Sequence, residues 1–130
     1  MKKIIAFAAL AVATFTGAAF AANYSISVNG GKGKANEKIT SVVRVTAQGD
    51  YHINKEFPHK VSLSLPEGVA ADDVKVKGVV ENDHQLVFNI ATTSSAAGKK
   101  DISADVRFAV CTETTCEPQT EKVSISVEAK

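Results

Sequence analysis

From residue 23 onward, apolar side chains recur at every second position, and little else does. Tyr24, Ile26 and Val28 alternate with polar neighbours, as do Val61, Leu63 and Leu65, and Leu86, Phe88 and Ile90. Ile102, Ala104, Val106, Phe108 and Val110 form the longest such stripe, and Val123, Ile125 and Val127 close the chain. A period of two puts every second side chain on one face of an extended strand, so each stripe is a sheet face that must find a partner layer. Turn signals separate the stripes at Asn29-Gly30-Gly31, Gln48-Gly49-Asp50, Pro66-Glu67-Gly68, Glu81-Asn82-Asp83 and Ala96-Ala97-Gly98. No segment sustains a 3.6-residue period. The spacing predicts an all-β fold, an antiparallel β-sandwich of seven to eight strands.

The first 21 residues follow a different rule. Lys2 and Lys3 precede an apolar run from Ile4 to about Thr16, and Ala19-Phe20-Ala21 has the small-x-small form of a cleavage site. The run is short for a membrane span and lacks a positive flank after it. It reads as a secretory signal peptide over 1–21, leaving residues 22–130 as a single β-sandwich domain, exported and without a membrane span. Removing 21 of 130 residues leaves 109, enough for one core. Without Lys2 and Lys3, 13 basic side chains face 14 acidic ones. Near neutrality offers no basic excess for nucleic acid or an anionic bilayer.

Chemistry is concentrated in one place. The two cysteines, Cys111 and Cys116, flank the polar run Thr112-Glu113-Thr114-Thr115, and export puts them where thiols oxidise. With Phe108 and Val110 turned to the core, alternation sends Cys111 to the opposite face, opposed to Cys116 across a hairpin mouth near solvent. Pro118 is expected to interrupt pairing before the final strand. A bridge closing a loop of about six residues contributes roughly 2 kcal/mol, a weak staple for the chain's only disulfide. The residues alone leave a structural bond and an exchangeable redox pair equally open. Arg107 shares the expected Cys111 face and would favour a thiolate there, while Glu113 and Glu117 would oppose it.

Other constellations are poorer. His52, His59 and His84 lack the spacing of a recognised metal site, so no metal and no cofactor are expected. Gly30-Gly31-Lys32-Gly33-Lys34 has the composition of a phosphate loop without its spacing, and reads as a flexible connection between strands. No nucleophile-elbow motif orders the serines, histidines and aspartates into a triad.

Phe108-x-x-Cys111, a short polar loop and Cys116-x-Pro118 together resemble the redox hairpin of the N-terminal periplasmic domain of DsbD, the thiol:disulfide interchange protein. Gly49-Asp50-Tyr51-His52-Ile53-Asn54 is similar to that family's early aromatic segment, and Leu65-Pro66-Glu67-Gly68-Val69 to its middle turn. The resemblance implies an immunoglobulin-like sandwich in the periplasm whose redox pair is Cys111 and Cys116. Phe108 would then pack beneath the pair, with Tyr51 and Pro118 beside it. Partners would be periplasmic thiol–disulfide proteins, and a module without DsbD's membrane domain would need a separate membrane electron donor. The alternative is a non-catalytic binding or accessory module with a structural hairpin disulfide.

Overall fold

The computed structural model describes residues 18–20 and 23–130. The described residues form twelve strands: β1 (Ala18–Phe20), β2 (Tyr24–Asn29), β3 (Lys32–Gly33), β4 (Lys38–Ala47), β5 (His52–Ile53), β6 (Lys60–Ser64), β7 (Val69–Ala71), β8 (Lys75–Lys77), β9 (Val79–Asn82), β10 (Gln85–Ser94), β11 (Gly98–Cys111) and β12 (Cys116–Ala129). Seven of these have four or more residues, and they account for the stripes the sequence displays. The leader read over residues 1–21 lies outside the described residues except for Ala18–Phe20, which pair antiparallel with β2. No described helix is long and apolar enough to cross a membrane.

Two six-stranded sheets face each other. One runs β1-β2-β4-β10-β7, with β9 also on β10; the other runs β3-β12-β11-β6-β8, with β5 also on β11. All pairs are antiparallel except β3 with β12. The chain is thus an all-β sandwich of two largely antiparallel sheets, as its periodicity predicts. Between the sheets lie Ile26, Val43, Val45, Leu86, Phe88 and Ile90 from the first, and Val61, Ile102, Val106, Phe108, Val110 and Ile125 from the second, all essentially without solvent contact. The ring of Tyr24 meets that of Phe108 edge-on across the interior, with centroids 4.9 Å apart at 80°. That geometry places the positive ring edge on the negative face. Burial pushes the Tyr24 hydroxyl up to about 12, and its hydrogen bond to the Glu121 carboxylate adds to this.

The longest pairing fixes the chemistry. β11 and β12 pair over fourteen positions, from Gly98↔Ala129 to Cys111↔Cys116. Pro118 sits inside this ladder opposite Ala109 and does not break it, contrary to the sequence expectation. The reason is position: β3 touches β12 only at Glu128 and Ala129, so near Pro118 the strand is an edge. A proline whose missing N–H faces an open edge costs no ladder bond.

The glycine-rich segment is likewise not a loose connection. Glu128 N donates to Gly31 O at 3.0 Å, Lys130 N to Gly33 O at 2.9 Å, and Gly31 N to Ser41 Oγ at 3.0 Å. A β-carbon on Gly30 would stand 1.6 Å from the Ser126 carbonyl oxygen, which is backbone and cannot swing away. Gly30→Ala is therefore expected to force β12 and the crossing segment apart. It should cost about 3 kcal/mol or more, at the upper end of overpacking penalties, read as a lowered urea midpoint. Unchanged stability in that variant would contradict this crossing.

Candidate functional site

Cys111 and Cys116 are joined in a disulfide, with their α-carbons 4.0 Å apart as directly opposed ladder partners. Alternation along β11 sends Phe108 and Val110 inward and Cys111 outward, and along β12 it sends Glu117 inward and Cys116 outward. The two sulfurs therefore sit on the outer face of the second sheet, as the sequence implies. Their exposure is unequal, which the sequence does not imply. Cys116 is exposed, whereas Cys111 retains 3% of its surface.

That inequality has a local cause. β5 pairs with the end of β11, Ile53 opposite Val110 and His52 opposite Cys111. Directly opposed residues share a face, so His52, Cys111 and Cys116 form one row across three strands. Cys111 is the middle member and is covered on both sides; Cys116 lies on the edge strand. From Asn54 to His59 the chain then leaves the sheet and returns as β6. At its start Asn54 N donates to Ala109 O at 3.0 Å, and Ala109 is buried. The Arg107 guanidinium stacks 5.5 Å from the Phe57 ring centre. It thus has a partner other than the cysteines it was expected to favour.

The disulfide lies in an open cleft of about 720 Å³. One wall is Gly49 and Asp50 with His52–Glu56, another is Asp83 and His84, and Thr112 and Glu113 of the hairpin tip close the end. Lys55 and Asp83 pair across the mouth at 2.9 Å, and that cation holds the Asp83 carboxyl below its usual range. The tip is ordered by its own bonds: Thr112 N donates to Thr115 O at 2.7 Å, and Thr114 N and Thr115 N donate to Thr112 Oγ1 at 3.3 and 3.2 Å.

Phe108 and Tyr51 occupy different ground. Phe108 is fully buried on the opposite face of β11 from the cysteines. Tyr51 donates to Glu117 Oε2 at 2.9 Å, and Asn23 Nδ2 to Glu117 Oε1 at 2.5 Å. This trio lies on the inward side of β12, so neither Tyr51 nor the Glu117 carboxylate belongs to the cleft. The hydrogen bond to Glu117 raises the Tyr51 hydroxyl above its ordinary value. Of the three histidines, His52 and His84 line the cleft and His59 is buried.

Asn54 is the residue that sequence reading missed. Its backbone N–H donates to Ala109 O at 3.0 Å, and its carbonyl accepts from His59 Nε2 at 2.5 Å. Its side-chain Oδ1 accepts from Glu56 N at 2.9 Å, and Nδ2 reaches Cys116 Sγ at 3.8 Å. Because His59 Nε2 faces a carbonyl, it carries the proton, and the buried Nδ1 has no partner among the described residues. A second proton would add an unpaired buried N–H, and burial accordingly lowers the His59 pKa from its ordinary value. The consequence for stability has a definite sign. Below about pH 6.5 the unfolded ring takes a proton before the folded one does. The neutral-ring contribution is complete above that pH and is lost as pH falls through the lowered folded value. The urea midpoint should therefore drop from pH 7 to pH 5, and His59→Gln should drop less over the same interval. Parallel profiles would contradict the assignment.

No family model and no curated protein matches the chain. Among solved structures it is similar to AggA, the major subunit of aggregative adherence fimbriae type I from Escherichia coli, at 10% identity over 82% of this chain and 94% of that one, with a TM-score of 0.43. It is also similar to the ASH/PapD-like domain 7 of human CEP192, at 11% identity over 81% and 84%, with a TM-score of 0.40. At these values neither likeness bears on function, and the fold stands on the strands and registers described above.

Proposed function

We propose that this chain is an extracytoplasmic thiol–disulfide exchange module, periplasmic in a diderm bacterium, that trades two electrons with dithiol partners through Cys111 and Cys116. One observation carries the reading: the disulfide lies in an open cleft, with Cys116 exposed and Cys111 buried. Exchange requires in-line access to one sulfur and a leaving group at the other. A partner thiolate attacks Cys116 Sγ and forms an intermolecular S–S bond. The Cys111–Cys116 bond breaks with its electron pair on Cys111 Sγ, which takes up a proton. A second partner thiol then attacks the partner's own sulfur and releases Cys116 as thiolate. The partner is oxidised to its disulfide and this chain is reduced to a dithiol.

The modest value of the bridge as a staple supports the same reading. The hairpin it closes already has a fourteen-pair ladder and a hydrogen-bonded tip, so about 2 kcal/mol of loop entropy is a small addition. The resemblance of Phe108-x-x-Cys111 and Cys116-x-Pro118 to the DsbD N-terminal domain points the same way. The ordered Thr112–Thr115 tip favours a second reading, a binding module whose disulfide stiffens a recognition loop.

Reduction of the native protein by dithiothreitol at pH 7 separates them. An exchange module should react at least about tenfold faster than glutathione disulfide does under the same conditions. A bond that resists reduction until the protein is unfolded would leave the stiffened-loop reading standing.

A further inference from the structure

Building on the exchange reading, we infer that Asn54 holds the thiolate of Cys116 in the reduced protein, through a hydrogen bond from Nδ2 to Sγ. The orientation of its amide is fixed rather than assumed. Oδ1 is occupied by Glu56 N at 2.9 Å, so the group turned toward Cys116 Sγ, 3.8 Å away, is the NH₂ donor. The backbone of the same residue is clamped on both sides, by Ala109 O at 3.0 Å and by the ring of buried His59 at 2.5 Å. A donor pinned at both ends pays little ordering cost when charge develops on the sulfur. An oxidised sulfur is a weak acceptor and a thiolate a strong one, so the contact strengthens as the disulfide opens.

The surroundings make this donor matter. Around Cys116 the cleft presents the carboxylates of Asp50, Glu56, Asp83 and Glu113, with His52 and His84. Its one lysine, Lys55, is committed to Asp83 at 2.9 Å, and on the same sheet face Arg107 is committed to Phe57. No helix N-terminus lies among the described residues to favour a thiolate. Acidic neighbours favour the neutral thiol, so the Asn54 N–H is the contact that works against them. Asn54 is thus a positioning and charge-stabilising residue for Cys116. It favours the thiolate both as the attacking species and as the group released from a mixed disulfide.

The test uses the Cys111→Ser protein, in which Cys116 is the single thiol, and reads the pH midpoint of its alkylation by iodoacetamide. N54A should raise that midpoint by about one pH unit, the size of one hydrogen bond to a charged group. N54D keeps the acceptor for Glu56 N but replaces the donor with a carboxylate, and should raise it further. Both keep the backbone bonds to Ala109 and His59, and equal urea midpoints would show that the fold is intact. An unmoved midpoint in N54A overturns the inference; if N54A does not fold, an unmoved midpoint in N54D does so. This readout is independent of the dithiothreitol rate. A slow native disulfide with a shifted alkylation midpoint would reject the exchange reading and leave Asn54 as the thiolate donor.

Discussion

Cys111→Ser should accumulate a mixed disulfide with glutathione, and Cys116→Ser should not. When reduced protein meets glutathione disulfide, the exposed Cys116 thiolate attacks and is glutathionylated. In the native protein Cys111 would resolve that bond, but a serine at 111 cannot. In Cys116→Ser the remaining thiol is Cys111, with 3% of its surface exposed between β5 and β12. Exchange depends steeply on access, so glutathionylation there should be slower on the order of 100-fold. Intact-mass measurement over time resolves the two adducts directly. Both variants should remain folded, because the bridge contributes only about 2 kcal/mol to a domain whose core is large. Equal trapping at the two positions would mean that β5 does not shield Cys111.

Phe108→Ala should be the most destabilising of the core truncations near the site, at about 3–5 kcal/mol. The ring is fully buried and meets Tyr24 edge-on between the sheets. Its removal opens a cavity where the two layers meet and deprives Tyr24 of its partner. Total stabilities of such domains are only about 5–15 kcal/mol, so the loss is a large share. The urea midpoint checks it. The dithiothreitol rate of the molecules that remain folded should be unchanged, because Phe108 and the cysteines lie on opposite faces of β11. A variant that keeps its stability but exchanges differently would show that Phe108 acts on the disulfide rather than on the core.

Which parts of this were legible in the sequence follows from where the constraint lies. The stripe from Ile102 to Val110 gives strand, face and length at once, since five inward residues at period two admit no other regular structure. Its parity also places Cys111 outward and opposite Cys116. Parity alone does not say what covers an outward residue. Cys111 is buried by β5, which is two residues long, and two residues carry no period to detect. Pro118 looked like a break because a proline cannot donate, but the edge position of β12 there makes the donor unnecessary, and edge positions follow from sheet order. Tyr51 and Glu117 are near the cysteines in space, yet the one-residue offset from Cys116 turns Glu117, and with it Tyr51, to the other face. Asn54 acts mainly through its backbone and an amide orientation, and neither is written in composition or spacing.

The reduction potential of the Cys111–Cys116 bond, measured on residues 22–130 by equilibration with defined thiol buffers, distinguishes an exchange pair from a structural bond. Exchange through this cleft requires about −200 to −250 mV with fast approach to equilibrium, within reach of extracytoplasmic dithiol proteins. A value below about −300 mV with slow approach would identify a structural bond and contradict exchange through this cleft.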